Sequence, residues 1–130
     1  MIAGALFTKS SHPLLTRYRP HFRGLDLVLS FVTVAELRFG AYSDGWGQER
    51  IAALEDRFRR VSGIAMPDND LVEQQARLRT ACKRAGHALH DKIHEADRWI
   101  AATAIRYGLP LVSDDAIFVG VPGLSLRREP

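Results

Sequence analysis

Three acidic residues stand at positions where a carboxylate is costly. Glu36 and Asp97 fall on the apolar faces of predicted helices, and Asp115 follows the apolar run at 109–113. A buried carboxylate needs a counter-charge, either a basic side chain or a bound cation. Carboxylate oxygens are ligands that Mg²⁺ and Mn²⁺ prefer, and a metal held by carboxylates is typical of phosphodiester hydrolysis. Together the acids indicate a metal site, whereas any one alone would indicate a salt bridge or a helix cap.

The helix that carries Asp97 is predicted over residues 91–107. Helical spacing places Asp97 on a face that is predicted to be buried, together with Ile93, Ile100, Ala101, Ala104 and Ile105. Arg98 is expected largely on another face. This helix also has polar positions that would leave an acid in water, but Asp97 does not occupy one of them. The spacing therefore predicts that the Asp97 carboxylate points inward.

Glu36 and Asp115 are predicted to approach the same region from other elements. Glu36 shares a helix face that is predicted to point inward with Val32, Thr33, Phe39 and Gly40. Asp115 lies just past the short buried strand at 111–112. Ligands of open α/β sheets bind at the carboxyl ends of the strands. Carboxylates that converge there resist ionising together unless a divalent cation offsets their charge.

The pattern of elements predicts an α/β fold. Apolar runs of strand length alternate with segments of helical spacing, which is typical of a parallel sheet covered by helices on both sides. Strands are expected over 25–30, 64–66, 111–112 and 124–126; helices over 32–41, 48–61, 71–85 and 91–107; short helical pieces over 2–7 and up to residue 19. At the third long helix, Asp70 and Glu73 are spaced like a capping box.

Length and composition predict one ordinary globular domain over residues 1–130. Hydrophobic residues make up 46% of the chain, and no apolar run is long enough to cross a membrane. The apolar residues after Met1 are not preceded by the positive charge of a secretory signal. The single cysteine, Cys82, suits a reducing compartment, so we expect a cytoplasmic protein. The net charge of +3 comes mainly from arginines, which could meet nucleic-acid phosphates or simply solvate helix faces.

Other polar motifs leave alternatives open. His87, His90 and His94 could hold zinc, but the spacing matches no zinc motif, and a polar loop beside the acidic site is the simpler interpretation. Trp46 and Trp99 could stack on RNA bases, although packing at a helix interface suits Trp99 better.

Three segments resemble the acidic motifs of PIN-domain ribonucleases, and among these they are most similar to VapC toxins. They are Ser30–Gly40 (SFVTVAELRFG), Asp97–Ala104 (DRWIAATA) and Leu109–Phe118 (LPLVSDDAIF). The resemblance implies a PIN-like three-layer α/β/α sandwich with a central parallel sheet. It also implies a Mg²⁺-dependent endoribonuclease, with Mn²⁺ possible, that forms a homodimer and is inhibited by a VapB-like antitoxin.

Carried over by position, the resemblance assigns roles to six residues. Glu36, Asp97 and Asp115 match the catalytic, metal-binding acids. Ser113 would support the site through its hydroxyl, and Asp114 and Thr33 would be supporting neighbours.

One departure from the family concerns the start of the chain. The family begins with a central strand that ends in an acid, and the segment 1–7 matches only the family's residues after that strand. We therefore expect the strand and the first acid to be missing and the domain to be truncated at its N-terminus. This leaves two hypotheses: an active endoribonuclease toxin, or a catalytically impaired PIN-like module that binds an antitoxin.

Overall fold

The computed structural model describes residues 4–7 and 26–128, and for Gly4–Phe7 and Asp26 it describes the backbone alone. The strands are Gly4–Phe7 (β1), Asp26–Ser30 (β2), Gly63–Ala65 (β3), Leu111–Val112 (β4) and Leu126–Arg127 (β5). The α-helices are Phe31–Ser43 (α1), Gln48–Arg60 (α2), Asn69–Ala85 (α3) and Glu95–Tyr107 (α4). Short 3₁₀ helices cover Ala88–His90, Lys92–His94 and Ala116–Phe118. None of the helices in these ranges is long and apolar enough to cross a membrane.

The five strands form one parallel sheet in the order β3-β2-β1-β4-β5. β1 is its central strand, and Leu6 pairs with Val28 on one side and with Leu111 on the other. The expectation of a short helix over residues 2–7 is therefore wrong, and so is the expectation that the central strand is missing. A short apolar run fits either structure by pattern, and the unpaired backbone groups of two neighbouring strands decide for the strand. The helical piece expected near residue 19 lies outside the described residues.

Alternation along the strands divides the apolar residues between two cores on opposite faces of the sheet. Val28 and Leu111 pack with α3 and α4, whereas the next residue in each strand, Leu29 and Val112, packs with α2. α1 contributes to both cores, through Val32 on one side and Val34 on the other. This arrangement confirms the predicted α/β/α sandwich with a parallel sheet.

The ends of two helices differ from the predicted ones. α3 is capped by Asp68, whose Oδ1 accepts the Leu71 N–H at 2.8 Å, so the capping box expected at Asp70 and Glu73 is wrong. α4 begins at Glu95 rather than at Asp91, because two 3₁₀ turns precede it. His94 is the last residue of the second 3₁₀ turn, and the regular helix that carries Asp97 begins directly after it.

Candidate functional site

The elements that carry the predicted acids meet at one edge of the sheet. Because every strand pair is parallel, the carboxyl ends of β2 and β4 lie on the same side. α1 starts immediately after β2, and its first residue, Phe31, packs edge-to-face on Trp99 of α4 at 5.6 Å between ring centroids. The first half of α4 therefore lies beside the start of α1 at the carboxyl edge, and the prediction that Trp99 packs between helices is confirmed.

Glu36 lies in the second turn of α1. Its side chain is half-buried, and its Oε2 is shielded from solvent. Thr33, one turn earlier, is fully buried, whereas Phe39, three residues later, is 72% exposed, so the prediction that Phe39 lies on an inward face is wrong. Glu36 thus stands where this side of the helix passes from the core to the surface. A carboxylate in that position keeps one oxygen in a low-dielectric setting and remains within reach of a small ligand.

Asp97 lies in the first turn of α4, and its side chain is only 15% exposed. Ala101 and Ala104 on the same face are completely buried, as the spacing predicts. Ile93 is 84% exposed, so its predicted place on the buried face is wrong, because it lies in a 3₁₀ turn before α4. The Nδ1 of His94 is 3.6 Å from the Asp97 Oδ2, a distance that makes an ion pair only when the imidazole is protonated. Asp97 is therefore largely enclosed, with the His94 imidazole at its side.

Asp115 is exposed, unlike the other predicted acids. Its Oδ1 accepts the Ile117 N–H at 3.1 Å and so caps the 3₁₀ helix Ala116–Phe118. Ser113 is buried, and its Oγ accepts the Asp115 N–H at 3.1 Å. Asp114 is half-buried, and its carbonyl accepts a hydrogen bond from Arg128 at 3.0 Å. The hydroxyl predicted to support the site thus holds the backbone of its neighbouring acid.

A metal site built by all the predicted acids is not seen in the part of the chain that the structure describes. Residues 4–7 and 26–128 contain no group of three or more His, Cys, Asp or Glu side chains placed to hold one ion. β1, between β2 and β4, ends at Phe7 and continues in sequence with Thr8 and Lys9 rather than an acid. The donor chemistry of Glu36, Asp97 and Asp115 still suits a hard divalent cation, so their assignment stays a prediction.

The hydrogen bonds of His87 disfavour the zinc alternative. The Nδ1 of His87 accepts the Leu89 N–H at 3.0 Å, and its Nε2 is 2.7 Å from the Val119 carbonyl oxygen. Both nitrogens are used in hydrogen bonds, so neither is available to a metal. The described histidines accordingly form no metal-binding group.

Sequence reasoning also placed Arg98 wrongly. It was expected largely away from the buried face, but it is 1% exposed and donates from Nη1 to Leu89 O at 3.0 Å and to Asp91 O at 2.7 Å. Burial lowers the pKa of its guanidinium. The missed signal is the run of small residues at 101–104, all of which are buried. A helix that is apolar on every side is enclosed by the rest of the protein, so a polar residue just before such a run is buried as well.

Several arginines outside the site are engaged in ion pairs. Arg60 pairs with Asp56 on α2, and Arg77 pairs with Glu73 on α3, at 2.8 Å each. These contacts favour the interpretation that the arginines of the two helices are solvated faces. At the α1–α2 connection, the Arg50 guanidinium stacks 3.9 Å from the centroid of the Trp46 ring.

Comparisons with known proteins give the same fold. The family model of the PIN domain matches residues 2–124. The chain is similar to VapBC-1 from nontypeable Haemophilus influenzae, with 25% identity, 98% of each chain covered and a TM-score of 0.75. It is also similar to DNA-bound VapBC from Salmonella typhimurium (20% identity, 98% of each chain, TM-score 0.76). A third similar structure is VapBC2 from Rickettsia felis bound to a promoter DNA fragment (21% identity, 96% of this chain and 98% of that one, TM-score 0.74). A comparison with curated protein sequences found no match.

Proposed function

Because the chain belongs to the PIN-domain family, we propose that it is a Mg²⁺-dependent endoribonuclease, the toxin of a toxin–antitoxin pair that acts in the cytoplasm. The observation that carries the proposal is the pair of half-buried carboxylates, Glu36 and Asp97, on two helices in contact at the carboxyl edge of the sheet. Carboxylate oxygens are ligands that a hard divalent cation prefers. The likeness to VapBC structures over nearly the whole chain supports the toxin assignment.

Glu36, Asp97 and Asp115 would hold the metal, with Mn²⁺ as an alternative ion. When bound, the metal would lower the pKa of a water molecule and stabilise the leaving oxygen of the phosphodiester. Ser113 would keep the Asp115 backbone in place through the hydrogen bond to its N–H. Asp115 keeps one oxygen outside its capping bond, and that oxygen would face the ion.

The partners that suit this function are RNA, a VapB-like antitoxin and a second copy of the chain. The net charge of +3 favours approach to a polyanion. The similar structures from Haemophilus influenzae and Salmonella typhimurium are VapBC assemblies by their descriptions, which motivates the antitoxin.

The test is cleavage of a mixed RNA substrate by the purified protein with Mg²⁺. We expect Glu36→Gln and Asp97→Asn each to lower the cleavage rate at least about a hundredfold, since each replaces a negatively charged ligand of the ion by a neutral amide. Chelation of the metal should have the same effect. Asp70→Asn is the control, because Asp70 is an exposed acid on α3 that pairs with Arg106. Cleavage by the Glu36 and Asp97 variants at the wild-type rate would contradict the assignment.

A second candidate, a catalytically impaired PIN-like module that binds an antitoxin, is favoured by one observation. The described residues hold no group of three potential metal ligands, and the sequence after β1 offers Thr8 and Lys9 instead of an acid. Measuring Mg²⁺ binding by calorimetry together with RNA cleavage separates the two candidates. Tight binding of an antitoxin without metal binding or metal-dependent cleavage would select the module.

A further inference from the structure

His87 lies between α3 and the following 3₁₀ helix and uses both ring nitrogens in hydrogen bonds. The Leu89 N–H donates to Nδ1 at 3.0 Å, so a neutral ring carries its proton on Nε2. That Nε2–H donates to the Val119 carbonyl oxygen at 2.7 Å. One side chain therefore joins two segments that are 32 residues apart in sequence.

The first of these segments is the turn that presents Asp115. The Phe118 N–H donates to Asp115 O at 3.3 Å, and the Val119 N–H donates to Ala116 O at 3.1 Å. Oδ1 of Asp115 caps the same turn at the Ile117 N–H, and the Phe118 side chain is buried beneath it. A displacement of Val119 would therefore move the backbone to which the Asp115 carboxylate is bonded.

The second segment is attached to the helix of Asp97. Arg98, the neighbour of Asp97, donates to Leu89 O at 3.0 Å, and Arg79 on α3 donates to His90 O at 3.0 Å. Two arginines from different helices thus donate to consecutive carbonyls of this segment, and the Leu89 N–H of the same segment donates to His87. The hydrogen bonds run without a break from the Asp115 turn, through His87, to the residue next to Asp97.

We propose that His87 is a positioning residue of the acidic site, which sets the Asp115 turn against the segment that Arg98 ties to α4. The proposal rests on the nuclease function proposed above, in which Asp97 and Asp115 share an ion. His87 does not touch that ion, because both its nitrogens are bonded to the backbone. Its contribution is the fixed separation of two carboxylates that belong to different elements.

Two amide variants separate the two bonds of the ring. His87→Gln places its amide nitrogen where Nε2 stands and keeps the bond to Val119, while His87→Asn places its amide oxygen where Nδ1 stands and keeps the bond to Leu89. We expect His87→Asn to lower kcat for RNA at least about tenfold and to raise the Mg²⁺ concentration needed for half activity, with KM for RNA within about twofold. His87→Gln should keep kcat within about threefold of the wild type.

Thr80→Ala is the matched control, because it also removes one side-chain bond to a backbone carbonyl, from Thr80 Oγ1 to Ala76 O. It measures the effect of a general loss of stability on kcat. Equal activity of the two His87 variants would overturn the positioning role, and so would a rise in KM together with a fall in kcat in both variants.

Two further measurements do not depend on RNA cleavage. Nitrogen NMR of the wild type should show the Nε2–H tautomer of His87, and an Nδ1–H tautomer would overturn the bridge. Amide exchange at Phe118 and Val119 should accelerate in His87→Asn and stay slow in His87→Gln. An inactive wild type with this exchange pattern would contradict the nuclease and leave the link through His87 standing, whereas an active wild type with equal exchange in both variants would contradict the link alone.

Discussion

At the scale of residues, the burial of Arg98 is the most consequential placement in the described chain. Its guanidinium lies in the core beside Cys82, donates to the Leu89 and Asp91 carbonyls, and leaves its Nε without a partner among the described residues. A charge taken out of water costs several kcal/mol unless hydrogen bonds and attraction offset it. Arg98 therefore adds to stability mainly by donating hydrogen bonds to backbone carbonyls of the 3₁₀ turns.

Removing that side chain should lower the stability of the fold. We expect Arg98→Met to lower the free energy of unfolding by about 2–4 kcal/mol, because the Leu89 and Asp91 carbonyls lose their donor while the apolar stem is kept. Arg98→Lys retains the charge and can satisfy one carbonyl, so its loss should be smaller. Urea unfolding followed by circular dichroism measures both. A methionine variant as stable as the wild type would show that the desolvation cost outweighs the two hydrogen bonds.

At the scale of elements, α1 and α2 are joined by a two-point contact. Arg38 Nε donates to Glu55 Oε2 at 3.1 Å, and Arg38 Nη2 donates to Glu55 Oε1 at 2.7 Å. The same guanidinium lies 5.3 Å from the centroid of the Phe58 ring. The hydrogen bond from Arg38 holds the pKa of Glu55 below its ordinary value of 4.5. The pair fixes the helix of Glu36 against its neighbour, and its strength should depend on pH.

Glu55→Gln tests that dependence. Because the pKa of Glu55 is lowered in the folded state, its stabilisation is complete above pH 4.5 and is lost as the pH falls through the lowered pKa. At pH 7 we expect the variant to lose about 0.5–1 kcal/mol of unfolding free energy, a modest value because Arg38 is 42% exposed.

Urea unfolding at a series of pH values measures the difference between variant and wild type. The difference should shrink toward zero in the acid range. Glu73→Gln is the control, since Glu73 pairs with Arg77 within a single exposed helix turn, where the loss should be no more than about 0.5 kcal/mol. A Glu55 effect that does not change with pH would contradict the ion pair.

At the scale of the whole molecule, the two cores pack α3 and α4 on one face of the sheet and α2 on the other. Cys82 on α3 lies in the first core with no exposed surface, and burial raises the pKa of its thiol above 9.0. Leu71, Leu89 and Phe118 of the same core come from separate parts of the chain. Access to the thiol therefore requires the core to open.

Cys82 reports on that opening. At pH 8 we expect the native protein to react with a disulfide reagent at least about a hundredfold more slowly than the urea-unfolded chain, because the thiol is both shielded and protonated. The absorbance of the released thiolate gives both rates. Reaction of native protein at the unfolded rate would contradict an enclosed core. Arg98→Met should raise the native rate, because it weakens the same core.

Local patterns determined much of the fold. The spacing of apolar residues predicted α2 and α3 to within about two residues at each end, and the apolar run at 25–30 predicted β2, because these signals reflect periods of 3.6 and 2 in the backbone itself. β1 was predicted as a helix, and β5 lies at 126–127 rather than at 124–126. Strands of two to four residues carry too little period, and only their neighbours in the sheet decide them.

The candidate site divides in the same way. The sequence by itself determined that Glu36 and Asp97 are half-buried, since each shares a helix face with buried residues, although Phe39 and Ile93 of the predicted faces are exposed. It also determined the family through its three acidic motifs. Only the tertiary structure decided that Asp115 is exposed and caps a turn, that Arg98 is buried, and that His87 joins the Asp115 turn to the segment beside Asp97. These placements depend on hydrogen bonds between segments far apart in sequence, and no local period encodes the partner of a backbone carbonyl.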